Sequence, residues 1–118
     1  MQIEIVQRNG ATVVRPAGAR VDLQVAADFR AALLEAIEGG HHHLVVDMGG
    51  VLFVDSSGLG ALVSALKTLK LIKGNGDIRL ANVQPPVQAL LELIRLHRVF
   101  ANYPSVDQAV GSFLVGHA

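Results

Sequence analysis

The segment richest in reactive groups runs from Val51 to Leu62, VLFVDSSGLGAL, where an aspartate precedes two serines and then glycines at 58 and 60. A serine beside a carboxylate can serve as a nucleophile, a helix cap or a site of covalent modification. Nucleophilic use needs a general base that a third group orients. No histidine is tied by sequence to this segment, and Asp55 next to Ser56 does not make a triad. Capping needs only that a helix begin here, because the first N–H groups of a helix donate to partners such as a serine oxygen, a carboxylate or a phosphate. In one reading a serine caps the helix and Asp55 assists. In another, Ser56 projects outward and is phosphorylated, which adds a charge of roughly −1.5 to −2 to a chain whose formal charge is zero. The two combine if Ser57 caps and Ser56 is modified. Gly58 and Gly60 leave room for close backbone approach at the same place.

Other chemistry is thinly represented. The chain has no cysteine, which removes disulfides, thiolate nucleophiles and thiolate metal sites. His41, His42 and His43 are consecutive, so their side chains point in different directions. No acidic or cysteine ligand set accompanies them at a metal-binding spacing, and they read as a polar loop; His97 and His117 do not alter that. There is no P-loop, no kinase catalytic motif and no complete dinucleotide fingerprint around Gly58 and Gly60, so no cofactor and no bound metal are expected.

Ten basic and ten acidic side chains balance, which argues against general attraction to nucleic acid or anionic lipid. With 51% hydrophobic and 17% charged residues, the 118-residue chain has material for one core, and residues 1–118 are expected to form one domain. The amino terminus, MQIEIVQRNG, reads as an opening strand rather than a leader, and no apolar run reaches spanning length. A soluble, cytoplasmic protein is the expectation. Charge is uneven along the chain: six basic and two acidic groups fall in residues 67–98, a mildly positive stretch.

The elements that must position Asp55 and Ser56 follow from the apolar pattern. Ile3, Ile5 and Gln7 share one side of a strand, Asn9-Gly10 suits a tight hairpin, and ATVVRP returns as a second strand. Asp22 can cap a helix to about Glu38, with Ala26, Phe29, Leu33 and Ile37 on its buried face. Gly39-Gly40 ends it, and Leu44-Val45-Val46 reads as a buried strand. A second helix is expected from Ser57 or Gly58 to Lys73, with Leu59, Leu62, Val63, Leu66 and Leu69 inward. Ile78 to Ala81 is a further strand. Pro85-Pro86 opens a third helix carrying Val87, Leu90, Leu91 and Ile94, and Val99-Phe100-Ala101 is a candidate short strand. Ser105 to Gln108 matches a capping box for a last helix through Phe113 or Leu114. The class is α/β: a small mixed sheet of about four to five strands, with about four helices packed largely on one side.

Around DSSGLG at 55–60 the chain resembles the STAS family, specifically the bacterial anti-sigma-factor antagonists, and the resemblance covers nearly all 118 residues. Gly18 and Asp22 resemble the Gly and Asp of that family's loop before the first helix, with one extra residue between them. LLELIRLHRVFANY at 90–103 resembles its closing helix, strand and turn, with Ile94-Arg95 where Thr-Gly is usual. The resemblance implies a switch. Unphosphorylated, such a domain binds an anti-sigma factor that is also a serine kinase and releases the sigma factor; phosphorylation, here at Ser56, breaks the complex, and a separate phosphatase resets it. ATP and Mg²⁺ would belong to the partner kinase, and this chain would not be an enzyme.

The partner surface is expected to comprise Asp22, Asp55, Ser56, Ser57, Gly58 and Gly60, with the exposed face of the helix that begins near Ser57. Two rival readings use the same residues: a STAS-like scaffold that docks without switching in a signalling or lipid-transport assembly, and a small hydrolase with Ser56 or Ser57 as nucleophile.

Overall fold

The computed structural model describes residues 2–114; Met1 and residues 115–118, His117 among them, lie outside the described residues. Strand β1 (Ile3–Arg8) turns through Asn9-Gly10 into β2 (Ala11–Pro16). Both loop residues have positive φ, 50° and 85°, the geometry of a primed two-residue hairpin. Strands β4 (His43–Asp47) and β6 (Asp77–Ala81) continue the sheet, and β7 (Asn102–Tyr103) ends it, in the order β1-β2-β4-β6-β7. Only β1–β2 is antiparallel; β2–β4, β4–β6 and β6–β7 are parallel. A second, two-stranded sheet pairs β3 (Arg20–Val21) with β5 (Phe53–Val54). Strands of two residues carry no periodicity, which is why the apolar pattern does not announce them.

Helices α1 (Leu23–Glu38), α2 (Ser56–Ile72) and α3 (Pro85–Leu93) cover one face of the main sheet. Phe29, Leu33, Leu62, Leu69, Val87 and Leu91 meet Val14, Leu44, Val46, Ile78 and Leu80 there. The short α4 (Val106–Ser112) lies on the other face, where Val106, Ala109 and Val110 meet Val13, Val45 and Ala81. The mixed sheet and four helices match the expectation, with three helices on one side and one opposite. Burial of β4 on both faces explains why Leu44-Val45-Val46 has no polar alternation.

The region after α3 departs from the expected order. The candidate strand at Val99–Ala101 is absent; a 3₁₀ turn at Leu96–Arg98 precedes the shorter β7 at Asn102–Tyr103. Helix α3 stops at Leu93, and Ile94 is 44% exposed instead of joining the core. Arg95 then adopts left-handed geometry with φ 63°. The chain therefore makes the turn a glycine would favour, with a residue whose Cβ makes it costly. Arg95→Gly is expected to raise stability by about 0.5–1 kcal/mol, the strain relieved exceeding the added chain entropy of the unfolded state. Thermal melting of the two proteins checks it; an unchanged or lower midpoint contradicts the strain argument.

One buried charge pins the end of the central strand. Asp47, at the end of β4, accepts from Arg15 Nε at 2.7 Å, the Gly49 N–H at 3.0 Å and Asn82 Nδ2 at 3.1 Å. Burial pushes its carboxyl up, but the hydrogen bonds from Asn82, Arg15 and Gly49 and the Arg15 charge outweigh that, leaving its pKa below the usual carboxylate range. A lowered folded pKa stabilises the fold above the unfolded carboxylate's pKa. That contribution is lost as pH falls through the folded value. Asp47→Asn is therefore expected to cost about 2 kcal/mol at pH 7 and progressively less as the wild type is acidified. Urea unfolding at pH 7 and at a series of lower pH values measures the difference; a pH-independent gap would show that the charge is not what matters.

Candidate functional site

Helices α1 and α2 both begin at one pole of the molecule, each fed by a strand of the small parallel sheet. Val21 pairs with Val54, so the residues that follow them, Asp22 and Asp55, come to the surface side by side. Each caps its own helix. Asp22 Oδ1 accepts from the Gln24 N–H at 3.3 Å, and Asp55 Oδ1 accepts from Ser57 at 2.9 Å and Gly58 at 3.1 Å. Asp55 also reaches across: its Oδ2 accepts the Leu23 N–H at 3.0 Å. One carboxylate thus satisfies orphan donors at the start of two helices.

That arrangement corrects the capping expectation. The cap is Asp55, not Ser57, and the helix begins one residue earlier, at Ser56. An ionised carboxylate near the positive end of the helix dipole is a stronger acceptor than a hydroxyl, and it sits at the geometry that reaches the second and third N–H groups. Ser56 is consequently the first helical residue and is exposed, while Ser57 is half-buried.

The glycines divide. Gly58 is buried, and a Cβ there would lie 2.4 Å from the Val21 carbonyl oxygen and 2.8 Å from Val54 Cγ1. Its close approach is made to the protein's own small sheet, and it presents no side to a visitor. Gly60 is exposed, and a Cβ there would meet nothing within 4 Å. Of the six residues expected at the site, Asp22, Asp55, Ser56, Ser57 and Gly60 border the pole, with Gly58 beneath them.

Several residues at the pole escaped the sequence reading. Leu23 is 74% exposed, Leu52 55% and Phe53 41%, flanking the Asp22 and Asp55 caps. Arg20 lies with its guanidinium 4.2 Å from the Phe53 ring centroid and donates from Nε to Asp22 at 3.2 Å. Apolar side chains displayed around a polar rim are a common feature of protein-binding surfaces. Nothing in residue order sets them apart: Leu23 lies three residues before Ala26 of the buried α1 stripe, and Leu52 and Phe53 stand between the buried Val51 and Val54.

The electrostatics are lopsided. Asp22 and Asp55 stand at the pole, the first turn of α2 has no charged residue, and Arg20 is already engaged by Asp22 and Phe53. A phosphate on Ser56 would meet a helix N-terminus whose second and third N–H groups Asp55 already occupies. The histidines at 41–43 line a cleft with Gly10, Lys73 and Asn75, at the far end of α2, about 25 Å away by helical rise. No group of three or more metal-ligating side chains is placed to hold an ion among the described residues.

This arrangement, two helix starts clasped by a small parallel sheet beside a mixed five-stranded sheet, is that of a STAS domain. The model of that family matches residues 2–109, and the chain belongs to it. Among its relatives, the anti-sigma F factor antagonist of Paenibacillus polymyxa is 30% identical over 111 residues, covering 93% of this chain and 92% of that protein. Two solved structures share the fold. An anti-sigma factor antagonist from Mycobacterium paratuberculosis superposes with TM-score 0.82 at 23% identity, over 94% of this chain and 92% of its own. The Bacillus cell fate determinant SpoIIAA in its phosphorylated form superposes with TM-score 0.72 at 18% identity, over 95% and 99%. No helix among the described residues is long and apolar enough to cross a membrane.

Proposed function

We propose that this chain is an anti-sigma-factor antagonist, working as one cytoplasmic domain over residues 1–118 and not as an enzyme. The observation that carries the reading is the exposure of Ser56 at the first position of α2, amid the exposed Leu23, Leu52 and Phe53. Unphosphorylated, the pole docks on an anti-sigma factor that is also a serine kinase, and the sigma factor is released. Apolar contacts from Leu23, Leu52 and Phe53 supply much of the attraction; Asp22, Asp55, Ser57 and Gly60 fix the approach.

The kinase supplies ATP and Mg²⁺ and transfers a phosphoryl group to the Ser56 hydroxyl. The product is a dianion next to Asp55, with Arg20 already engaged by Asp22 and no basic residue in the first turn of α2. Burying that charge at an interface without new basic partners is strongly unfavourable, so the complex separates. A phosphatase restores the hydroxyl.

Intact-protein and peptide mass spectrometry of the chain from cells, together with affinity capture of the unmodified form, tests modification and partner together. Phosphate is expected on Ser56 and absent from Ser56→Ala, with an anti-sigma factor captured. Phosphate on Ser57 alone overturns the residue assignment. Stable assembly with negligible phosphate would favour a docking subunit that does not switch.

A further inference from the structure

The main sheet is open at β1, a six-residue edge strand. Strand β1 pairs with β2 over six residues without a bulge, contains no proline, and exposes Ile5 on one face and Val6 on the other, at 46% and 41%. Such an edge offers a row of backbone donors and acceptors to any strand that fits it.

Backbone parity shows which groups face outward. The two-residue hairpin makes Arg8 and Ala11 its closing pair, and Ala17 donates to the Gln2 carbonyl at 2.9 Å. Even-numbered residues of β1 therefore bond to β2, and Ile3, Ile5 and Gln7 turn their N–H and C=O groups to the open side. A second β1 can add antiparallel only with odd residues opposite odd ones.

Few symmetric registers satisfy that condition, and side-chain charge separates them. A two-fold axis at Glu4 opposes two glutamates, and one at Ile5 leaves Glu4 facing Val6 and Arg8 facing Gln2. An axis at Val6 sets Ile5 against Gln7, Val6 against Val6, and Glu4 against Arg8 of the second copy. Glu4 already bonds Arg15 at 2.8 Å and Arg8 bonds Asp107, all on the same side of the sheet as α4. The Val6 register therefore completes an alternating row, Arg15, Glu4, then Arg8 and Asp107 of the second copy, and the symmetry supplies it twice.

We propose that the chain self-associates through β1, centred on Val6, into a two-fold dimer with a continuous ten-stranded sheet. The edge is short, so this is an interface of the small, transient class that assembles at micromolar rather than nanomolar concentrations. None of the residues at the Ser56 pole belongs to β1, so the proposal does not depend on the switch.

Sedimentation velocity of the full chain from about 1 µM to about 1 mM, at low salt, tests it. A concentration-dependent shift from monomer to dimer is expected. Glu4→Arg and Arg8→Glu should each weaken the dimer about tenfold by placing like charges opposite each other, and the double swap should restore it to within about threefold. Ile5→Pro removes an outward N–H while sparing the bonds to β2, and should abolish the dimer. Circular dichroism and thermal melting confirm that each variant folds, and the charge swaps stand alone if Ile5→Pro does not. A monomer throughout the range, a double swap no better than either single one, or a higher oligomer would overturn the proposal.

Discussion

Replacing Gly58 with alanine is expected to destabilise the fold by about 3 kcal/mol, whereas the same replacement at Gly60 is expected to stabilise it by about 0.5–1 kcal/mol. Both glycines lie in α2, where alanine is favoured over glycine by up to about 1 kcal/mol on helix propensity alone. The difference is what the added methyl meets. At Gly58 it would lie 2.4 Å from the Val21 carbonyl oxygen and 2.8 Å from Val54 Cγ1, and at Gly60 it would meet nothing within 4 Å. Backbone atoms of the small sheet cannot swing aside as a long side chain can, so α2 must shift away from β3 and β5. That shift would also stretch the bonds from Ser57 and Gly58 to Asp55. Denaturant unfolding of the two variants measures the contrast; equal effects at both positions would refute this account of α2 packing. Gly60→Ala carries a second measurement, because a protein that melts higher yet binds its partner less tightly would mark Gly60 as a contact.

Ser56→Asp is expected to weaken binding to an anti-sigma-factor partner by about 100-fold or more, and Ser56→Asn to leave it within about threefold. Asparagine and aspartate are nearly isosteric, so the comparison separates charge from size. The negative side chain would lie beside Asp55, where the α2 N–H groups are taken and no basic residue of the first turn is at hand. An uncompensated charge buried at an interface commonly costs 2–5 kcal/mol, about 30- to several-thousand-fold in affinity. Phosphate carries about twice the charge of aspartate and should act more strongly. Calorimetric titration of the two variants, each confirmed to be folded, gives the ratio. Equal affinities would show that Ser56 does not lie within the docking surface.

Much of this arrangement could be read from residue order, and the exceptions share a cause. The stripe Ala26, Phe29, Leu33 and Ile37 gave α1 its buried face, and the hairpin at Asn9-Gly10 and the cap at Asp22 are where their residue types put them. Asp55, Ser56 and Ser57 were legible as the start of a helix, but their division of labour was not. A serine and an aspartate at neighbouring positions are both competent caps, and the reach of the Asp55 carboxylate to the Leu23 N–H, beyond its own helix, is visible in three dimensions alone. The strands at Arg20–Val21 and Phe53–Val54 stayed hidden because their pairing spans 33 residues and two residues make no pattern. Leu23, Leu52 and Phe53 were missed for a related reason: apolar residues read as core until their neighbours are known, and these three stay in solvent. Near Arg95, a left-handed turn persists without its glycine because surrounding contacts, including the half-buried Leu96 against the core, hold it.

With Asp55 clasping the beginnings of both α1 and α2, the platform meets its visitor already shaped. Little conformational freedom remains to be surrendered on encounter, so association should be governed by surface fit and charge rather than by a folding step. The same clasp leaves a modified Ser56 little scope to remould its surroundings. Discrimination between the two covalent states is then felt at the moment of touching, and the unbound forms should superpose closely everywhere except at the added group.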